Sequence, residues 1–302
     1  MKGRLRDTLV VARFDLAESL RSRRALVLLL LFIAGSMAAA GVFVTVLREI
    51  ENTLAAQLLV ASVDSPGAMT DRMMQSPELL DVLGGLLRDR DLASQLLTVP
   101  PLALFYGWVA TFFGPALVVF TCGDAIASEV QSGSARFALF RTDRLSWASG
   151  KLMGQALLLL VGMLAGAGGV WLVGFGWLGH FVALDNAVWL LRLALRAWVY
   201  ALSFLGLCMG VSQVLRTRWW ALGASLALTL GVLVGGRVLD TSWAVEQAPI
   251  LAPTLAQLFP GAHRVDLWRP ELADRLPALV LLPALGAAWF YLGHLVFRRR
   301  DA

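Results

Sequence analysis

Six stretches of this chain are apolar for close to the length of a bilayer, and nothing else in it restricts the fold as much. They fall at 25–47, 99–123, 152–178, 198–215, 219–236 and 276–297, and none contains Asp, Glu, Lys or Arg. About 20 apolar residues in a helix cross the hydrocarbon core. In lipid a backbone can satisfy its own polar groups only as helices or as a closed barrel. Barrel strands read as short alternating segments, whereas these runs are continuous. Of 302 residues, 58% are hydrophobic and 16% charged, with mean hydropathy +0.70. The expected fold is an all-α polytopic membrane protein, one transmembrane domain over 1–302 with six spans.

Six crossings put both termini on one side, and the basic residues indicate which side that is. Segments 1–24, 124–151, 216–218 and 298–302 hold 16 of the 26 Lys and Arg in 60 residues, while 48–98, 180–196 and 237–275 hold 10 in 107. Basic density is about threefold higher on the terminal side, which the positive-inside rule assigns to the cytoplasm. An N-in/C-in protein of the cytoplasmic (inner) membrane is expected. The net charge of +5 then belongs to topology, and no nucleic acid partner is expected.

Ahead of the first run, Leu5, Leu9, Ala12, Leu16 and Leu20 recur at helical spacing among seven Lys and Arg. This predicts an amphipathic interfacial helix over 1–24, its arginines toward anionic lipid. Ala38-Ala39-Ala40 resembles a signal cleavage site, but the charged region is too long and the apolar run continues to Leu47. The segments 48–98 and 237–275 are extracytoplasmic in this scheme. In the first, Ser76-Pro77 reads as an N-cap and first helical residue ahead of a leucine-rich face, predicting a helical hairpin. In the second, Trp243 and Trp268 read as interface anchors among four prolines. Gly166, Gly168 and Gly169 are expected to allow close helix packing in the third span. Cys122 and Cys208 lie inside apolar runs and read as small buried hydrophobes.

Catalysis would leave traces that are missing. His180, His263 and His294 fall in different regions, and neither H-E-x-x-H nor G-x-S-x-G occurs. No catalytic residue and no metal site is expected. The span cores have no Asp or Glu, which weighs against ion-coupled transport. No G-x-x-x-x-G-K-[ST] loop cradles phosphates, so ATP, if used, must be bound elsewhere.

The most organised polar stretch is the cytoplasmic insert 124–151. The second span is expected to continue as a helix past Asp124 and Glu129 until Gly133 stops it. Ser134 is placed to N-cap a second short helix through Phe140. Phe137, Leu139 and Phe140 supply an apolar knob, and Asp124 and Glu129 call for cations from the N-terminal helix or a partner. A solvated topogenic loop accounts for the same spacing. The run resembles the signature of ABC-2 type transporter permeases, through Asp124, Ile126-Ala127-Ser128-Glu129, Gly133-Ser134, Arg136, Leu139, Arg144 and Lys151. The basic N-terminal helix and six-span plan resemble that family as well. One position departs: where the family carries a proline three residues before the arginine, this chain has Arg141.

The resemblance implies a type V ABC exporter-like permease, paired with a second permease subunit as a homodimer. Two copies of a separate ABC ATPase subunit would bind ATP and Mg, and the permease itself would need no cofactor and perform no catalysis. The helix after the second span would be the coupling helix, with Asp124, Glu129, Gly133, Ser134, Arg136, Phe137, Arg144 and Lys151 in the transmission element. Arg192 and Arg196, one turn apart near the outer interface, read either as snorkelling anchors or as a contact for an anionic substrate or lipid. An alternative function is mechanotransmission, in which the ATPase cycle moves 48–98 and 237–275 to act on an extracytoplasmic protein without moving a solute.

Overall fold

The computed structural model describes residues 2–57, 77–87, 90–179, 181–239, 241, 246–269 and 271–299; the expected Ser76 cap, His180 and Trp243 lie outside them. Among the described residues there is no strand. Helix α1 (Lys2–Arg21) is set off by Ser22 from α2 (Arg23–Gln57). A pair, α3 (Pro77–Leu87) and α4 (Arg90–Leu96), precedes α5 (Pro101–Cys122), which starts with proline in its first turn, where no backbone donor is needed. Two short helices, α6 (Ala127–Ser132) and α7 (Ser134–Leu139), lead to α8 (Arg144–Trp177). Then come α9 (Ala183–Val214), α10 (Arg218–Leu239), short α11 (Leu251–Ala256), a 3-10 turn Asp266–Trp268 and α12 (Leu272–Arg298). Helices α2, α5, α8, α9, α10 and α12 are long and apolar enough to cross a membrane. The end carrying α1, α6 and α7 is here called proximal, and the opposite end distal.

Several helices run past their apolar stretches. α9 begins at Ala183 rather than 198, so Arg192 and Arg196 sit inside the spanning helix and not ahead of it. An apolar run marks only the lipid-depth part of a helix, whereas backbone hydrogen bonding continues wherever the side chains permit it.

α9 is the hub, packed on α5, α8 and α12. Its apolar window is 72% buried, against 17% for α10. Hydrophobic drive between helices is weak in lipid, so close packing takes its place. A methyl on Gly206 or Gly210 would strike the backbone of α12, and one on Gly286 or Gly293 would strike α9. The expected close approach in α8 is present in part: Gly166 and Gly169 face Phe32 and Met37 of α2, but Gly168 faces open space. Buried polar groups find partners across helices. The Tyr106 hydroxyl donates to the Met163 carbonyl, and Trp198 Nε1 donates to the Ala156 carbonyl at 2.8 Å.

α1 lies along the first turns of α8. Gly150 and Gly154 admit it, since side chains there would collide with Val11 and with Asp15. The predicted stripe on α1 is split: Ala12 is buried, while Leu5, Leu9 and Leu20 stay exposed. The face turned to the protein carries Val11, Ala12 and Asp15 instead.

Candidate functional site

The predicted insert folds as two short helices around one left-handed residue. α5 ends at Cys122, a turn over 123–126 interrupts the helix, and α6 resumes at Ala127. Gly133 has φ +77°, a conformation that costs an L-residue with a side chain, and it ends α6 and begins α7. Ser134 is therefore the first residue of α7 and not its cap. Its hydroxyl closes the turn instead, reaching the Glu129 carbonyl at 3.3 Å and the Ser132 hydroxyl at 3.0 Å. Asp143 caps α8 by accepting from the Ser146 amide at 3.3 Å, and this bonding holds its carboxyl below the ordinary aspartate range.

α6 is clamped to the turn between α9 and α10. The amides of Ile126 and Ala127, unpaired at a helix start, both donate to the Ser212 hydroxyl at 3.0 and 2.9 Å. In return Gln131 Oε1 accepts the Arg218 amide at 2.8 Å, at the start of α10. Ser225 of α10 donates to the Gly123 carbonyl at 3.4 Å.

Around this clamp lies a buried ionic cluster. Asp124 is 3% exposed. Its Oδ2 takes Arg24 Nη1 at 2.6 Å and faces Arg218 Nε at 2.6 Å, the latter out of line for a hydrogen bond. Lys151, 5% exposed, pairs with Asp15 at 2.7 Å and with Glu129. Gln155 Nε2 donates to the other Asp15 oxygen at 2.8 Å. These groups line a cavity of about 310 Å³ between α1, α2, the turn from α5 into α6, α8 and the start of α10. Removing such charges from water costs several kcal/mol per ion unless partners replace the lost hydration. Here each buried ion has a partner of opposite sign.

The structure thus brings Asp124, Glu129 and Lys151 together and supplies their counter-ions from within the chain. Arg144 goes elsewhere: its Nη1 donates to the Phe297 carbonyl at 2.9 Å, and its guanidinium lies 5.6 Å from the Phe297 ring, at the end of α12. Arg136 is exposed, and Phe137 and Phe140 are 77% and 85% exposed. Leu139, expected in the same knob, packs inward. Val10 and Phe14 of α1, Phe137 and Phe140 of α7, and Trp147 line a groove of about 780 Å³. Sequence reasoning missed Asp15, Arg24, Ser212 and Arg218. One signal was legible: Lys151 is flanked by Gly150 and Gly154, a small-xxx-small pattern that invites a helix. Arg192 and Arg196 share a helix but not an environment. Arg192 is exposed over the Trp189 ring at 5.1 Å, and Arg196 is half-buried against Trp268.

Six apolar helices of this length define a multi-pass membrane protein. The chain belongs to the ABC-2 family transporter proteins, whose family model matches residues 9–301. It is accordingly a membrane subunit of the permease kind, in a family generally not catalytic itself. Comparison with curated proteins gives no match.

Proposed function

We propose that this chain is the permease of an ABC exporter in the cytoplasmic membrane. It works as a homodimer on two copies of a separate ATPase subunit that binds ATP and Mg. The basic excess on the proximal side supports a cytoplasmic location for both termini. The carrying observation is the contrast within the insert: Asp124 and Glu129 are satisfied internally, while Phe137 and Phe140 are left exposed on a short rigid helix. A soluble partner that received α7 would bury both rings. Its movement would reach α10 through the Ser212, Gln131 and Asp124 contacts, and α1 through Lys151. α10 is the least buried spanning helix, which favours it as the one that moves.

Affinity purification from the native host tests this reading. An ATP-binding subunit is expected to co-purify with the wild-type chain and to be lost with F137A/F140A, while the variant protein stays folded. Recovery of the intact chain without any ATPase subunit, even after cross-linking, would overturn it. One observation keeps mechanotransmission as a second reading. α2 has 35 residues, about 50 Å at 1.5 Å per residue, so it projects well beyond a ~30 Å core. Retention of an extracytoplasmic protein on the segment after α2, without transport by the reconstituted complex, would favour that reading.

A further inference from the structure

The proximal cavity is not used up by the ion pairs that line it. Its charge falls into two groups, and among the described residues no ion pair joins one group to the other. In the first, Asp124 alone faces both Arg24 and Arg218, which leaves one positive charge over. In the second, Lys151 alone faces both Asp15 and Glu129, which leaves one negative charge over. Glu18 of α1 lines the same cavity, is exposed, and has no cation within ion-pair distance among the described residues. Arg218 Nε is sealed from solvent without a hydrogen-bond partner. Every buried ion thus has a counter-ion, yet the cavity of about 310 Å³ keeps a cationic side and an anionic side. Space of this size takes a small ligand or a headgroup, and a single ion of either sign would answer only one side.

A second hollow continues the first. Arg23, Arg24, Val27, Leu28 and Phe120 line a crevice of about 360 Å³ between α2 and α5. Arg24 and Leu28 belong to both linings, one turn apart on the same face of α2. Arg24 spans the two helices, with Nη1 on Asp124 at 2.6 Å and Nη2 donating to the Phe120 carbonyl at 2.9 Å. Val27 is 54% and Phe120 43% exposed, so the crevice is open on its outer side. Depth orders the two hollows. Arg24 immediately precedes the apolar run of α2, and Asp124 immediately follows that of α5. The charged cavity therefore stands at headgroup level, and the apolar crevice lies about one turn deeper, among acyl chains.

We propose that these two hollows together bind one zwitterionic phospholipid with a primary ammonium headgroup, of the phosphatidylethanolamine type, from the proximal leaflet. Its phosphate lies against Arg24 and Arg218, because a guanidinium fork matches phosphate oxygens. Its ammonium lies against Glu18 and Glu129, and one acyl chain follows Val27, Leu28 and Phe120. A primary ammonium brings three N–H donors to these carboxylates, whereas a quaternary ammonium brings none and a glycerol headgroup brings no positive charge. The lipid uses only the charge that the internal ion pairs leave over, so the site stands whether or not an ATPase subunit docks on α7.

The test uses the purified full chain in non-ionic detergent. Phosphatidylethanolamine, phosphatidylcholine, phosphatidylglycerol and soluble glycerophosphoethanolamine are titrated separately while the thermal unfolding midpoint is followed. Phosphatidylethanolamine is expected to raise the midpoint, with apparent affinity about fivefold tighter than for either other lipid. Glu18→Gln, which removes the unpaired acid, is expected to weaken its binding about threefold. Val27→Trp, which fills the crevice without touching an ion pair, is expected to weaken it about tenfold. Arg13→Gln, an exposed position of α1 outside both linings, is expected to leave it unchanged. If V27W does not fold, E18Q and the soluble headgroup still decide. The proposal is overturned if phosphatidylethanolamine does not stabilise the wild type, or if either other lipid does so equally well. It is also overturned if the soluble headgroup alone matches the lipid, if either folded variant binds like wild type, or if R13Q weakens binding as much as E18Q.

Discussion

At the proximal end three acids, the buried Asp15 and Asp124 and the partly buried Glu129, are met by three bases of the same chain, Lys151, Arg24 and Arg218. At the distal end Arg196, Arg237 and Arg264 meet no carboxylate among the described residues. Both groups gather charge where helices converge near a membrane boundary, so composition alone does not separate them. Partnership does. The first cluster is closed within the chain and joins α1, α2, α6, α8 and α10 into one unit. Among the described residues the second has no such closure.

The comparison breaks most visibly at Lys151. Lys151→Met leaves the buried Asp15 beside the partly buried Glu129 without a cation, and loss of one partner from a buried pair costs about 3–5 kcal/mol. A large fall in the thermal midpoint is expected, and D15N/E129Q added to K151M should restore most of it. If K151M alone is as stable as wild type, the cluster is not closed in the sense argued. Asp124→Asn comes next. It withdraws the negative charge facing Arg24 and Arg218, and hydrogen bonds to charged groups contribute about 1.5–3 kcal/mol. Deuterium exchange should rise in α10 more than in α9, because α10 has little other packing. Equal change in both helices would argue against the clamp. Asp143→Ala is smaller, about 1 kcal/mol for a lost N-cap. Since bonding to Ser146 lowers the folded carboxyl, its contribution is present at neutral pH and fades as pH falls through that depressed value. The variant and wild type should therefore differ at neutral pH and converge in strong acid.

The spans were legible because hydropathy is additive along the chain and needs no knowledge of what each helix touches. Gly133 was legible for a similar local reason, since the end of a short polar helix is where a left-handed residue belongs. The partners were not. Lys151 reads from sequence as part of a transmission element facing an ATPase partner, yet Asp15 reaches it from 136 residues away. Arg144 belongs to the same motif and instead holds the end of α12, 153 residues downstream. The Gly150/Gly154 pair showed that some helix would lie against Lys151, without showing which one. Arg192 and Arg196 make the same point at the distal end. Equal spacing gave both the same pair of readings, and only Trp268, arriving from another segment, makes one of them half-buried and leaves the other in the open.

The smallest expected effect discriminates best between the two ends. Arg196→Gln removes a half-buried cation whose one recorded hydrogen bond is long, at 3.4 Å. Among the described residues nothing of opposite sign is stranded by its loss, and repulsion from Arg275 and Arg192 falls. In neutral lipid without added anion, the midpoint is expected to stay within about 0.5 kcal/mol of wild type, the range of surface changes, in contrast to Lys151→Met. Burial alone would predict a clear loss at both, since Lys151 is 5% exposed and Arg196 is half-buried. A loss at Arg196 approaching that at Lys151 would mean the distal arginines are held by the fold after all, and the distinction between a closed cluster and an open one would collapse.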